Sequence, residues 1–226
     1  MRTRITAGCL VLLACSSASS DNASDGGGSA DGSGPAADGT APGVDASADG
    51  STSADAGSDT APPSDAAGEA SGPFSLTSTA LAEGATFATA NTCDGVNTSP
   101  PFHWSGAPSG TLSYAIVLTD KTNSLVHWTI YDIPSSFGDA PAAIEQNYQP
   151  ASPAGAKQAK SIAGQPVYYG PGPPKGGAAH DYEFALYAVK VASLPGTDAN
   201  TTKEQIVTLL GTNNAGVVRL NGSYKR

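Results

Sequence analysis

Alternating hydrophobic and polar positions predict β-strands over most of the second half of the chain. The pattern is strong in 126–131 and 181–191, the segment 112–119 is a near-continuous apolar run, and two weaker strands are expected at 74–79 and 217–224. In the segments 112–119 and 181–191 alternate residues form one apolar face: Tyr114, Ile116 and Leu118, then Tyr182, Phe184, Leu186 and Ala188. We therefore expect each of these strands to bury one side against a core.

The segment 126–131 alternates regularly and contains a histidine. The strand period of two predicts one face formed by Val126, Trp128 and Ile130 and an opposite face formed by His127, Thr129 and Tyr131. The six-residue connection from Lys121 to Val126 predicts a hairpin with the preceding strand.

One helix is marked near the end of the chain. Thr201 and Glu204 have the spacing of a capping box, and Gly211 is expected to end the helix. Between them, an apolar stripe is formed by Ile206, Val207 and Leu210. Many strands, few helices and proline-rich loops predict a mainly β domain built of antiparallel strands, with this helix at the C-terminal side.

The N-terminus has the pattern of a secretory signal. Arg2 and Arg4 precede an apolar stretch, residues 5–14, that is too short to span a bilayer. It ends in Leu-Leu-Ala-Cys at 12–15, which resembles the bacterial lipobox, so Cys15 is the expected lipidation site. An ordinary signal cleaved nearby is the alternative. Ser16 after the cysteine favours the outer membrane of a bacterial cell envelope under the enterobacterial sorting habit.

Composition divides the rest of the chain into a tether and a domain. Residues 16–72 hold nine Asp, one Glu and no Lys or Arg, with no aromatic side chain, which predicts a disordered linker. Residues 73–226 hold ten acids and nine bases, so nearly all of the net charge of -9 belongs to the linker. The domain thus lacks the basic excess of an electrostatic nucleic-acid binder. Cys93 is the one cysteine expected in the mature domain, either buried as a thiol or paired between chains.

The candidate functional side chains lie at the ends of the predicted strands. Asp120 and His127 flank the hairpin connection, and the glycine- and proline-rich stretch 169–176 leads to His180 and Tyr182. Glycines allow backbone N–H groups to approach an anion, and prolines fix the loop in advance. Each feature alone is more often structural, but together these groups predict a cradle for a phosphoryl group.

A family resemblance rests on motifs that follow one another from residue 74 to 226. The motifs are Thr92-Cys93-Asp94-Gly95 with Asn97, Ser99-Pro100-Pro101 with Trp104, Ser113 to Asp120, His127-Trp128 with Ile133-Pro134, Gly170 to Pro174, His180, Tyr182, Phe184 to Tyr187, and Leu220, Gly222 and Tyr224. They resemble the phosphatidylethanolamine-binding protein family, and most closely its bacterial Raf-kinase-inhibitor-like branch.

The resemblance implies two antiparallel sheets with a small anion pocket at one edge. The implied ligand-binding residues are Asp120, His127, Gly172, Pro174, His180 and Tyr182, supported by Trp128 and Pro173. No catalytic residue, metal or cofactor is implied.

Two departures from the family pattern bear on that site. The family's Asp-Pro-Asp-Ala-Pro motif is Asp-Lys-Thr-Asn-Ser here, at 120–124, which predicts a less rigid and less acidic rim. The family's arginine after the second site histidine is Asp181, which predicts a repelling charge where an anion partner is usual.

Three functions from different classes follow from these residues. The leading expectation is a membrane-tethered, non-enzymatic protein that binds phosphate or a phosphorylated head group, with affinity falling from about pH 6 to 8 as the two histidines lose their protons. The alternative is a docking surface that inhibits or regulates a protease or kinase, which leaves a protein partner possible. A metal-dependent enzyme ranks third, because the sequence has neither a closely spaced His pair nor a Gly-x-Ser-x-Gly elbow.

Overall fold

The computed structural model describes residues 72–226. The predicted signal peptide at 1–15, including the lipidation site Cys15, and all but the last residue of the predicted tether at 16–72 lie outside the described residues. The described strands are β1 (Ser75–Thr77), β2 (Ala85–Thr86), β3 (Phe102–Ser105), β4 (Ser113–Asp120), β5 (Leu125–Pro134), β6 (Asp139–Ala140), β7 (Lys157–Gln158), β8 (His180–Val189) and β9 (Asn214–Tyr224). They are accompanied by a 3₁₀ turn (Thr89–Asn91) and helix α1 (Lys203–Asn213).

The strands form two sheets. The smaller sheet has the order β1-β3-β6, and the larger has the order β2-β9-β8-β4-β5-β7. Every pairing is antiparallel except the short parallel contact between β2 and β9. The mainly β fold with two sheets and a helix near the C-terminal end of the sequence is therefore confirmed.

The main core lies between the two sheets. From β4 and β8 it receives the alternate residues that the sequence pattern predicts, Tyr114, Ile116, Leu118, Tyr182, Phe184, Leu186 and Ala188. The smaller sheet contributes Leu76, Phe102 and Trp104, all less than a tenth exposed. Burying these large side chains supplies the hydrophobic free energy that holds the sheets together.

A second core covers the opposite face of the larger sheet. Ile206 and Leu210 of α1 are fully buried there against Val117, Tyr131 and Val189. The apolar stripe predicted for the helix is thus the face that docks, although Val207 packs only at its edge. None of the helices in residues 72–226 combines the length and apolar character that crossing a membrane requires.

The boundaries of α1 differ from the sequence prediction. The capping box is formed by Thr202 and Gln205, one position later than predicted, with the Thr202 side chain accepting from the Gln205 N–H. Gly211 does not end the helix, which continues to Asn213. A glycine in a helix interior lowers helix propensity but leaves every backbone hydrogen bond possible, so the packed stripe decides the length.

Strand β5 does not keep the single alternation that its sequence predicts. Thr119 pairs with Val126 but Leu118 pairs with Trp128, which leaves His127 as the extra residue of a β-bulge. The bulge reverses the sense of alternation, so Val126 packs on the helix side with Tyr131, whereas Trp128 and Ile130 enter the core between the sheets. The expectation that Val126 shares a face with Trp128 is therefore wrong, because strand period alone does not reveal an inserted residue.

Candidate functional site

Four polar side chains meet where β4 ends and β8 begins. Asp120 is the last residue of β4 and lies opposite Tyr182 in the antiparallel register, and His180 is the first residue of β8. His127 comes from the bulge in β5, and its ring packs edge-on against Tyr182 at 5.5 Å between centroids. We call Asp120, His127, His180 and Tyr182 the Asp–His cluster.

Asp120 is held by backbone donors and orients His180. Its Oδ1 accepts from the N–H groups of Thr122 at 2.9 Å and Asn123 at 3.4 Å, while Oδ2 lies 2.7 Å from Nδ1 of His180. Asp120 is only 2 % exposed, so all of these bonds stabilise a carboxylate that burial alone would disfavour. An Nδ1 facing a carboxylate carries a proton, which leaves Nε2 of His180 as the ring atom available to a ligand.

His127 is buried and fixed by a carbonyl. Its Nδ1 lies 3.2 Å from the Gly170 oxygen, and the ring is 4 % exposed. Burial lowers the pKa of His127 below its usual range, and the Asp120 charge and the carbonyls of Gly170 and Tyr169 oppose this shift only in part. The imidazole is therefore neutral at neutral pH.

Tyr182 brings a buried hydroxyl without a partner. The residue is 1 % exposed, and its oxygen makes no hydrogen bond to any of the residues 72–226. Burial and, secondarily, the nearby Asp120 charge raise the pKa of Tyr182, so the hydroxyl keeps its proton. The Gly172 amide also lies close enough to influence it, yet neither neighbour has the geometry of a hydrogen bond.

The glycine- and proline-rich loop is clamped from the side by the segment 91–97. The Gly170 N–H donates to Asn97 Oδ1 at 2.9 Å, and the Cys93 N–H donates to the Pro171 carbonyl at 2.9 Å. A β-carbon on Gly170 would lie 2.2 Å from the Asn91 oxygen, and one on Gly172 would lie 2.6 Å from the Cys93 sulfur. Both positions therefore require glycine, because the clamp leaves no room for a side chain.

Cys93 does not have the state that the sequence predicts. It is disulfide-bonded in the structure, so the expectation of a buried thiol is wrong.

The remaining predicted site residues differ in their burial and in the contacts they make. Within the loop, Gly172 is half-buried and Pro173 is buried, whereas Pro174 is exposed and its carbonyl accepts from the Gly177 N–H in a turn. Trp128 is fully buried, donates to Gln158 at 2.6 Å and packs against Tyr168. Trp128 thus packs against the residue that precedes the loop, while Pro174 makes no described contact with the Asp–His cluster.

The two departures from the family pattern leave the cluster intact. Asp181 is exposed and alternates to the face opposite His180 and Tyr182, so its charge is not aimed at the site. The Lys121 N–H donates to the Asp181 carbonyl at 2.7 Å, a bond that proline could not make. Thr122 Oγ1 accepts from the Asp181 N–H at 3.0 Å, so hydrogen bonds fix the rim where the family uses prolines.

Sequence reasoning missed a group at the mouth of the site. Tyr224 lies opposite His180 in the register, and its hydroxyl donates to Asp94 at 2.9 Å. Arg226 also binds the Asp94 carboxylate, at 2.9 Å from both Nε and a terminal nitrogen. The signal available in the sequence was the motif containing Asp94, but only the fold shows that the last strand returns beside it.

The cluster combines one hydroxyl donor with two imidazoles that each leave Nε2 for a ligand. Two imidazoles with their Nδ1 atoms committed and one unpartnered hydroxyl surround a single carboxylate. Within residues 72–226 no group of three or more His, Cys, Asp or Glu side chains is arranged to hold a metal ion.

Comparison with known proteins identifies the family of this chain. The family model described as phosphatidylethanolamine-binding protein matches residues 77–225. The chain belongs to this family. A relative from Escherichia coli K12, the UPF0098 protein YbcL, is 31% identical over 137 residues, which cover 59% of this chain and 74% of the relative. The resemblance seen in the sequence motifs is thereby confirmed.

Solved structures of family members share the fold. The crystal structure of E. coli YbcL, described as a new member of the mammalian PEBP family, aligns with a TM-score of 0.62 and 29% identity over 69% of this chain and 99% of that one. A family homologue from Chlamydia trachomatis, CT736, aligns with a TM-score of 0.57 and 25% identity over 68% of this chain and 98% of that one. A Mycobacterium tuberculosis H37Rv relative named "Putative lipoprotein LppC" is 31% identical over 68% of this chain and 73% of its own length.

Proposed function

We propose that this chain is a non-enzymatic binding protein of the bacterial cell envelope that holds phosphate or a phosphorylated head group in the Asp–His cluster. The observation that carries the proposal is the Tyr182 hydroxyl, which is buried and has no partner among the described residues. A buried hydroxyl without a hydrogen bond costs about 1 to 3 kcal/mol, so a ligand oxygen that accepts from it would recover that free energy.

The neighbouring groups support the same ligand class. His180 is oriented by Asp120 so that Nε2 is left for a ligand, and the loop at Gly172 brings backbone close to Tyr182 without a side chain between them. Preformed groups of this kind bind small anions at low entropic cost, because the clamp from residues 91–97 has already ordered the loop.

The test is calorimetric titration of the purified protein with phosphate and with phosphoethanolamine at pH 6. We expect saturable binding that weakens about tenfold or more in His180→Ala, since a hydrogen bond to a charged group is worth about 1.5 to 3 kcal/mol. His103→Ala is the matched control, because His103 is exposed on β3 of the other sheet. No saturable binding of either compound, or equal binding in both variants, would contradict the proposal.

The envelope location is proposed from the lipobox-like sequence at 12–15, and the name of the LppC relative points the same way. Acylation of Cys15 would anchor the domain to the outer membrane through the acidic linker, which would hold the domain at a distance from the membrane surface. Cys15→Ala should move the protein from the membrane fraction to the soluble fraction of the producing cells. Retention of that variant in the membrane fraction would rule out anchoring through Cys15.

A further inference from the structure

Building on the proposed function, we propose that the site selects phosphate groups that carry an ionisable proton, meaning inorganic phosphate and phosphomonoesters, over phosphodiesters and sulfate. His127 is the specificity-determining residue, because it presents an acceptor to the ligand where anion sites usually present a donor. Free head groups would then bind in preference to the phosphodiester linkage of an intact phospholipid.

The proton of His127 is assigned by the Gly170 carbonyl. A carbonyl oxygen only accepts, so the Nδ1 that faces it at 3.2 Å must donate. Gly170 cannot shift away, since its N–H is bound to Asn97 and its α-carbon is packed against the Asn91 oxygen. Nε2 takes part in no hydrogen bond among residues 72–226, and in the neutral ring it bears a lone pair.

The surroundings keep this imidazole neutral. Burial and the Lys203 charge lower the pKa of His127, and the groups that favour its protonation, Asp120 and two loop carbonyls, do not compensate. The other titratable groups around the cluster are His180 and Tyr182 on β8, Tyr169 on the loop, and Arg226 beyond β9. Tyr182 retains its proton, and Arg226 is paired with Asp94, so neither supplies a proton to His127.

The ligand must therefore bring the proton or acquire one from solvent. A phosphomonoester has a second pKa of about 6, so near neutral pH a protonated oxygen that donates to Nε2 is readily available. When the dianion binds, one proton is taken up from water and is shared between the phosphate oxygen and Nε2. A phosphodiester or sulfate has no such proton, so it can hydrogen-bond to Nε2 only if the ring becomes a buried imidazolium, which the site disfavours, and otherwise it leaves Nε2 unpaired.

The experiment compares three probes on the purified protein at pH 7 by calorimetry: phosphoethanolamine, glycerophosphoethanolamine and sulfate. The first two carry the same amine and differ in whether the phosphate is a monoester or a diester. We expect the monoester to bind at least about tenfold more tightly than either of the others, corresponding to one charge-assisted hydrogen bond. Repeating the titration in buffers of different ionisation enthalpy should show net proton uptake with the monoester.

His127→Gln provides the matched variant. A glutamine amide can donate to the Gly170 carbonyl and turn its oxygen to the ligand, but it cannot take up a proton. The variant should keep the preference for the monoester and lose the part of the uptake that resides on the ring. Equal or tighter binding of the diester to the wild-type protein would overturn this inference alone, whereas failure of all three probes to bind would overturn the proposed function with it.

Discussion

Replacing Tyr182 with phenylalanine distinguishes the effect of the buried hydroxyl on the stability of the protein from its effect on the affinity for phosphate. The substitution removes one buried oxygen and keeps the ring, which packs against Phe87 and His127 at 5.8 and 5.5 Å between centroids. Since the hydroxyl has no hydrogen bond among the described residues, nothing is left unpaired when it is removed. We therefore expect Tyr182→Phe to stabilise the protein without ligand and to weaken its binding of phosphate.

The size of the effect follows from the desolvation of the hydroxyl. An unsatisfied buried polar group costs about 1 to 3 kcal/mol, which sets the range of the expected gain in the free energy of unfolding. For a domain of this size each kcal/mol raises the Tm by roughly 2 to 4 °C. The same hydroxyl would donate to a bound phosphate, so the ligand should raise the Tm of the variant less than that of the wild type.

Tyr168→Phe is the control, because Tyr168 is equally buried at 1 % exposure but its hydroxyl donates to the Asn91 carbonyl at 3.0 Å. Its removal leaves that carbonyl unpaired, so this variant should lose about 1 kcal/mol or more. Thermal and urea unfolding of the three proteins, with and without phosphate, measures both effects. A Tyr182→Phe protein that is destabilised as much as Tyr168→Phe would refute the reasoning, since it would mean that the Tyr182 hydroxyl is satisfied without ligand.

Two further predictions concern the loop and the buried histidine. Gly170→Ala should unfold at lower urea and lose anion binding, because its β-carbon would lie 2.2 Å from the Asn91 oxygen; Gly211→Ala, with no atom within 4 Å, should instead stabilise α1 by about 0.5 to 1 kcal/mol. The lowered pKa of His127 means that the unfolded chain binds this proton more readily, so stability should fall as the pH drops below about 6.5, the unfolded pKa. Urea midpoints measured from pH 8 to 5 should decline less in His127→Gln, and identical profiles would contradict the assigned burial effect.

The sequence predicted the strands of the core well because alternate residues along them are large and apolar. Each alternate position of β4 and β8 that reads as apolar enters the core between the sheets, and a slip of one residue would turn that whole face outward. The ends of elements were predicted less well. The helix cap moved from Thr201 to Thr202 because adjacent threonines offer two equivalent hydroxyls, and contacts beyond the helix decide between them: Thr201 instead accepts from the Asp198 N–H.

The sequence pointed to the residues of the candidate site but not to how they are arranged. Asp120, His180 and Tyr182 follow from strand ends and register, so their proximity could be inferred from a hairpin and a neighbouring strand. The bulge at His127 could not, because an inserted residue leaves no mark on the alternation of the segment itself. Its consequence for chemistry is large, since the bulge directs the ring to the Gly170 carbonyl and so decides which nitrogen carries the proton.

That assignment changes how the pH dependence of binding should be understood. The sequence suggested two protonated histidines that attract an anion together, with affinity lost as both titrate. In the structure the two rings are unlike: Nδ1 of His180 faces the Asp120 carboxylate, whereas Nδ1 of His127 faces the Gly170 carbonyl and burial lowers the pKa of His127. With Asp181 turned to the opposite face, the charge that opposes an anion inside the site is that of Asp120. Affinity should therefore depend on the protonation of the ligand as well as on that of the protein, and a ligand without an ionisable proton should show a different pH profile from phosphate.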